Sequence, residues 1–209
     1  MSEPTVFIID DDSSARRGLT RLVRVAEMNV ESFASAEDFL TSGKCDGPGC
    51  IVLDVRMPGM TGPELQEELC KAEYCMPIIF LSAHSDVPTT ARTMKKGAVD
   101  FLMKPVDRDD LLKAIRLSML QDAKNRDQRA ESSSIHEHIK TLTPREHEVM
   151  TYVVTGMLNK QIAYELDISE ETVKIHRGRV MQKLGIESVA ELVRLCDKAC
   201  IAPAEPRSK

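Results

Sequence analysis

The groups in this chain best placed to do chemistry are acids that end short apolar runs. Thr5-Val-Phe-Ile-Ile-Asp10-Asp11-Asp12 and Ile51-Val-Leu-Asp54 each pass from β-branched and apolar residues straight into carboxylates. Runs of that length and composition are buried parallel strands, so their last residues lie at the carboxyl edge of a sheet, where open α/β folds build their sites. Two such edges bring Asp10, Asp11 and Asp54 into one small volume. Like charges that close are costly unless a cation joins them, and hard oxygen ligands suit Mg²⁺. The competing role for each acid is to cap the next helix, which suits Asp12. It suits Asp54 less, because Val-Arg-Met-Pro-Gly follows with no helical pattern. Ser82 closes the apolar run Ile78-Ile-Phe-Leu81, and Lys104-Pro105 follows Val99-Asp-Phe101-Leu-Met. An acid nucleophile, a metal-binding acid pair, a hydroxyl and a lysine at strand ends compose a phosphoryl-transfer site.

The elements that must hold these residues alternate. Strands are predicted at 5–9, 29–33, 50–53, 77–81 and 98–102, and amphipathic helices near 14–26, 36–41, 62–72, 87–96 and 108–121. Ser35-Ala-Glu-Asp38 reads as a capping box, and Asp107 as the cap of the helix carrying Leu111, Leu112 and Ile115. This alternation predicts an α/β fold, a doubly wound five-stranded parallel sheet covered by helices on both faces. The first domain is placed at 1–121. Residues 122–141 turn polar and include Ser132-Ser-Ser, which predicts a partly helical linker. From 142 to 201 every pattern is helical, predicting a smaller all-α domain of four helices. Thr143-Pro144-Arg145-Glu146 and Ser188-Val-Ala-Glu191 are helix starts, and 202–209 reads as a disordered tail.

Composition narrows the function classes. No apolar run in the 209 residues approaches membrane-spanning length, and the N-terminus lacks a basic region followed by an apolar one. A cytoplasmic protein with no membrane partner is expected. Cys45, Cys50, Cys70, Cys75, Cys196 and Cys200 form no C-x-x-C pair and read as reduced thiols. Of the net charge of −5, all falls in residues 1–125, with 15 Lys/Arg against 20 Asp/Glu; the remainder holds 13 of each. Nucleic-acid binding in the second half therefore has to rest on local clustering.

Residues 1–120 resemble the receiver domain of two-component response regulators. The resemblance lies in Asp10-Asp11, Asp54 within Asp-Val-Arg-Met-Pro-Gly-Met-Thr-Gly62, Ser82-Ala-His84 and Lys104-Pro105. The stretch from Ser82 to Phe101 is most similar to the FixJ-type subfamily, although Val106 stands where that subfamily commonly has Phe and Ser82 replaces the more frequent Thr. The resemblance implies that Asp54 takes a phosphoryl group from a sensor histidine kinase. It implies Mg²⁺ on Asp11 and Asp54 with the Arg56 backbone carbonyl, Asp10 assisting. Lys104 would pair with phosphoryl oxygens and Ser82 would hydrogen-bond one of them. Phe101 would be the aromatic switch that moves inward with Ser82.

The second domain carries a helix-turn-helix pattern. Between Thr172 and Lys183 lie four basic residues and no acid, with Val173, Val180 and Leu184 marking the buried stripe. Lys174 and Arg177 are three apart, and such a helix can enter the major groove. Leu142-Thr-Pro-Arg-Glu146, Gly156-Met-Leu-Asn159-Lys160-Gln-Ile-Ala and Thr172-Val-Lys-Ile-His176 resemble the LuxR-type DNA-binding domain. That family implies base contacts from Thr172, Lys174 and Arg177, and phosphate contacts from Lys160, His176 and Lys183. Glu146 would be a structural acid tying helices together.

Joined, the halves resemble a FixJ/NarL-type response regulator. Phosphorylation at Asp54 would control dimerisation, through the face formed by helix 86–96 and strand 98–102, or unmasking of the DNA-binding helices. The expected partners are a sensor histidine kinase, double-stranded promoter or operator DNA, RNA polymerase and a second copy of the chain. No enzyme activity is expected beyond the phosphoacceptor's own phosphoryl transfer and dephosphorylation. A phosphorylation-independent DNA binder with a vestigial receiver would not need all the pocket residues. An aspartyl-phosphate phosphotransferase would need a D-x-D motif, which Asp54-Val-Arg56 breaks.

Overall fold

A computed structural model of the chain describes residues 3–44, 47–72, 76–83 and 87–205. Cys45, Cys75, His84 and the last four residues of the expected tail lie outside them. The chain divides into two compact units, the first ending at Arg126 and the second beginning at Asp127.

In the first unit β1 (Thr5–Ile9), β2 (Asn29–Phe33), β3 (Gly49–Asp54), β4 (Ile78–Ser82) and β5 (Asp100–Met103) form one sheet in the order β2-β1-β3-β4-β5. Every pairing is parallel. The helices between them are α1 (Ser13–Val25), α2 (Ala36–Thr41), α3 (Gly62–Lys71) and α4 (Val87–Lys95), and α5 (Arg108–Lys140) follows. Side chains alternate across each strand, so the sheet has two apolar faces. Phe7, Ile9, Ile51, Leu53 and Phe80 pack with Phe39 of α2 and Leu65 of α3. Val6, Ile8, Val52, Ile79 and Leu81 pack with Leu19 and Val23 of α1 and with Leu111 and Ile115 of α5. Val106, the departure beside Lys104, packs at the edge of this second core. The chain leaves β1 for β2 on one side and resumes with β3 on the other. The crevice at that switch point opens beside the ends of β1 and β3.

The segment expected as a linker is helix. α5 runs to Lys140, and the division between the units falls within it. Its polar composition hides the two attachments that hold it. Buried Asp122 accepts a hydrogen bond from the Gly49 amide at 2.9 Å and pairs with Arg126 at 2.8 Å, and Arg126 also donates to the Gly47 carbonyl. Ile135 and Ile139 are buried in the core of the second unit.

That second unit adds α6 (Pro144–Val153), α7 (Asn159–Leu166), α8 (Glu170–Leu184) and α9 (Val189–Lys198). Val149, Met150, Ile162, Val173, Val180, Leu192 and Cys196 fill its centre. Thr143 and Glu146 form the expected capping box on α6. Ser188 caps the Glu191 amide at 3.2 Å, while the Glu191 carboxylate takes the Glu187 amide at 2.8 Å. Among the described residues no helix is long and apolar enough to cross a membrane.

Candidate functional site

The carboxyl edge of the sheet gathers the acids. Asp10 follows the last residue of β1 and Asp54 is the last residue of β3, the neighbouring strand. Carboxylate oxygens of Asp10, Asp11 and Asp54 all lie within 4.8 Å of one another. Lys104, just past β5, reaches back with its ammonium to Asp10 Oδ2 at 2.7 Å and Asp54 Oδ2 at 2.6 Å. Its backbone amide donates to the Ser82 carbonyl at 2.7 Å, which pins the lysine to the end of β4. Ser82 itself is buried. Phe101 on β5 is half-buried, its ring 6.3 Å from that of Phe80. Arg56 is exposed, and its amide donates to Asp54 Oδ1 at 3.2 Å.

Exposure sorts the acids by task. The Asp10 side chain is 1% exposed and that of Asp54 12%, so Asp54 is the buried acid a reagent can still reach. Burial pushes the Asp10 pKa up, opposed by the hydrogen bond and charge of Lys104 and reinforced by the charge of Asp54. For Lys104, desolvation is the largest single effect and lowers the pKa. The hydrogen bonds to Asp10 and Asp54, added to their charges, outweigh it and leave the pKa raised. The ammonium is therefore held charged at neutral pH. Three carboxylates against one lysine leave this cluster with excess negative charge and an all-oxygen donor set, which fits a hard divalent cation such as Mg²⁺. Asp12 takes the other role: its Oδ1 accepts the Ser14 amide at 2.7 Å and the Ala15 amide at 3.3 Å, capping α1.

Two contributors were not legible in the sequence. Arg16 on α1 donates to the carbonyls of Asp10 at 2.5 Å and Asp11 at 3.3 Å, fixing the acidic loop from below. Gly62 opens α3 where a Cβ would meet the Asp54 carbonyl oxygen at 2.3 Å. The loop after Asp54 thus folds back onto the strand end only because residue 62 has no side chain. In the sequence Gly62 stands only as the last residue of the receiver-like stretch after Asp54, and its contact with the strand end is seen only in the fold.

In the second unit, α7 and α8 are joined by Asp167, in the left-handed region at φ 52°, followed by Ile168 and Ser169. Ser169 caps α8 through the Thr172 amide at 3.1 Å, with the Thr172 hydroxyl 2.8 Å from its own. Lys160, Lys174 and Arg179 are exposed, and among the described residues none of them has a hydrogen-bond or ion-pair partner. Three other expected DNA contacts sit differently. Arg177 donates to Asn159 Oδ1 at 2.7 Å, linking α8 to the start of α7. His176 holds a buried Nδ1 that has no hydrogen-bond partner among the described residues. Lys183 pairs with Glu146 at 2.7 Å and donates to the Thr141 carbonyl at 3.1 Å. Glu146 does tie helices together, and Lys183 is the residue it ties. Arg179 also lies on the outer face of α8, away from buried Val173 and Val180.

A parallel receiver-like sheet with an acid-lysine pocket, followed by a helix-turn-helix unit, is the build of a signal-dependent transcription regulator. Residues 6–116 match the response regulator receiver domain, and residues 140–196 match the bacterial regulatory proteins of the luxR family. The chain is 44% identical over 192 residues to nodulation protein W of Bradyrhizobium diazoefficiens, covering 92% of this chain and 85% of that protein. It is 40% identical over 200 residues to the transcriptional regulatory protein FixJ of Azorhizobium caulinodans, covering 96% and 95%. The solved structure of the response regulator StyR is similar at a TM-score of 0.78 and 46% identity, over 94% of this chain and all of that one. The chain belongs to the two-component response regulators that join a receiver domain to a LuxR-type DNA-binding domain. Membership implies a sensor kinase and DNA as partners, and a transcriptional regulator in place of an enzyme with its own substrate.

Proposed function

We propose that Asp54 is the phosphoacceptor and that its phosphorylation controls DNA binding by the second unit. The observation that carries this is Asp54 itself, 12% exposed at the strand end with one carboxylate oxygen on Lys104 at 2.6 Å. In the transfer, a carboxylate oxygen of Asp54 bonds to phosphorus as the bond from phosphorus to the kinase's histidine nitrogen breaks. Lys104 moves its ammonium from the carboxylates to the phosphoryl oxygens, and the Ser82 hydroxyl donates to one of them. Asp10, Asp11 and Asp54, with the Arg56 carbonyl, would hold Mg²⁺, which when bound offsets charge on the transferred group.

Drawing Ser82 toward the phosphoryl group leaves room into which Phe101 turns from its place against Phe80. α4 and β5 then change the surface they present. That surface already exposes Val87, Met94 and Met103, and it is our candidate for pairing with a second copy. Two receivers joined there bring two DNA-binding units to paired half-sites at high effective concentration. On DNA, Lys174 and Thr172 reach base edges and Lys160 meets phosphate; Arg177 reaches a base edge only by leaving Asn159. The regulator then acts on transcription through RNA polymerase at the promoter.

The test is intact-mass spectrometry after incubation with a small-molecule phosphodonor and Mg²⁺. Wild type gains one phosphoryl group, and Asp54→Asn gains none. An equal gain in both would remove Asp54 from the mechanism.

A further inference from the structure

α8 contains a glycine with no internal reason to be one. Gly178 lies in the middle of the helix, where glycine lowers the helix equilibrium by about two- to fivefold relative to alanine. Its φ is not in the left-handed region, so no turn requires it. A Cβ built on it would meet nothing within 4 Å among the described residues, so no neighbouring element among them requires it either. The other glycines of the two units sit at turns, at helix ends or against backbone, apart from Gly18 on α1. What is left is a partner outside the chain.

The surroundings of Gly178 say what kind. α8 buries Val173, Val180 and Leu184, and the opposite face carries Ile175 and Gly178 at its middle, between exposed Glu171 a turn before and exposed Gln182 a turn after. Ile175 is 48% exposed, an apolar side chain in the middle of a polar surface. Lys174 flanks this strip on one side and Arg179 on the other, both exposed and without partners among the described residues. A notch with an apolar floor between two cations suits a surface that carries phosphates at its rims and a methyl group at its centre. The major groove at a thymine is such a surface, because the C5-methyl group projects between two phosphate backbones.

We propose that Gly178 lets α8 sit closer to the base edges than a side chain would allow, and that Ile175 packs there on a thymine methyl. Sequence is then read by the Ile175–Gly178 strip, with Lys174 at its edge reaching a base, while Arg179 meets a backbone phosphate. This rests on α8 being the helix that enters DNA, and the experiment separates the two.

The probe is a duplex selected from a random-sequence pool by the phosphodonor-treated full-length protein, compared with an unselected duplex of the same length. Gly178→Ala raises the Tm of the second unit by about 2–6 °C, since the helix gains and nothing clashes. The same variant binds the selected duplex about tenfold or more weakly, and the unselected duplex within about twofold of wild type. Replacing thymine by uracil in the selected duplex weakens wild type several-fold and leaves Ile175→Ala unaffected. A Gly178→Ala protein that binds the selected duplex as wild type does, or more tightly, overturns the proposal. So does a uracil effect undiminished in Ile175→Ala. Lys174→Ala reports on the premise: if it too leaves binding unchanged, α8 is not the helix that enters DNA.

Discussion

The Glu146–Lys183 pair allows the sharpest stability test. Glu146 is buried, its side chain 3% exposed, and its carboxylate serves both the Thr143 amide at 2.8 Å and the Lys183 ammonium at 2.7 Å. The Lys183 hydrogen bond first, then the Thr143 amide, hold its pKa down from 4.5 to about 2 despite burial. A carboxylate whose pKa is depressed on folding contributes stability above its ordinary pKa and loses it as pH falls through the folded value. At 1.36 kcal/mol per pH unit that depression corresponds to about 3 kcal/mol. Lys183 is 36% exposed, so solvent screening reduces the figure to about 2 kcal/mol. Glu146→Gln isolates the charge, because glutamine at the third helical position can still complete the capping box. Hydrogen exchange resolved over α6–α9 of the full chain, followed through a thermal series at pH 7, should show the second unit melting about 10 °C lower. The difference from wild type should shrink as pH falls from 4.5 toward 2. Equal melting at pH 7, or a difference that persists unchanged at pH 2, would refute this account of the pair.

Four further outcomes follow from the same contacts. Lys160→Ala should lower the dependence of log K on log[salt] by about 0.9 when DNA binding is titrated, whereas Lys183→Ala should leave that slope alone because Lys183 serves Glu146. Gly62→Ala should destabilise the receiver by about 2–4 kcal/mol in urea unfolding, since its Cβ meets the Asp54 carbonyl. Asp122→Ala should cost about 2–4 kcal/mol and raise hydrogen exchange in α5 near Arg126, by leaving the Gly49 amide without its acceptor and removing the carboxylate that Arg126 pairs with. Asp10→Asn should raise the receiver's Tm at pH 7, because burial raises the Asp10 pKa and the charged form costs stability above it. That gain should vanish below pH 3.8, where the carboxyl is neutral in both folded and unfolded chains.

What the sequence disclosed follows from the range of the interactions. Strand-end acids were legible because a buried parallel strand must be apolar throughout, so the first carboxylate marks the sheet edge. Asp107, Thr143 and Ser35 were legible as caps because each acts within three residues. α5 beyond residue 121 was not. It has no continuous apolar stripe, and what holds it is an acid buried against a loop 73 residues away and two isoleucines that belong to another core. The charges of Lys183 and Arg177 are visible in sequence, while the partners they hold in the folded chain, Glu146, 37 residues away, and Asn159, 18 away, are seen only in the fold. Gly178 is the reverse case. Its meaning lies in the absence of any neighbour, which only coordinates can show.

The central claim is that chemistry at Asp54 governs DNA binding. The most direct measurement is sedimentation combined with DNA titration, using wild type and Asp54→Asn with and without phosphodonor and Mg²⁺. The account predicts that phosphodonor converts wild type to a dimer and tightens its binding to the selected duplex, while Asp54→Asn stays monomeric and binds weakly throughout. A response of the same size in Asp54→Asn, or none in wild type once its phosphorylation is verified by mass, would contradict it.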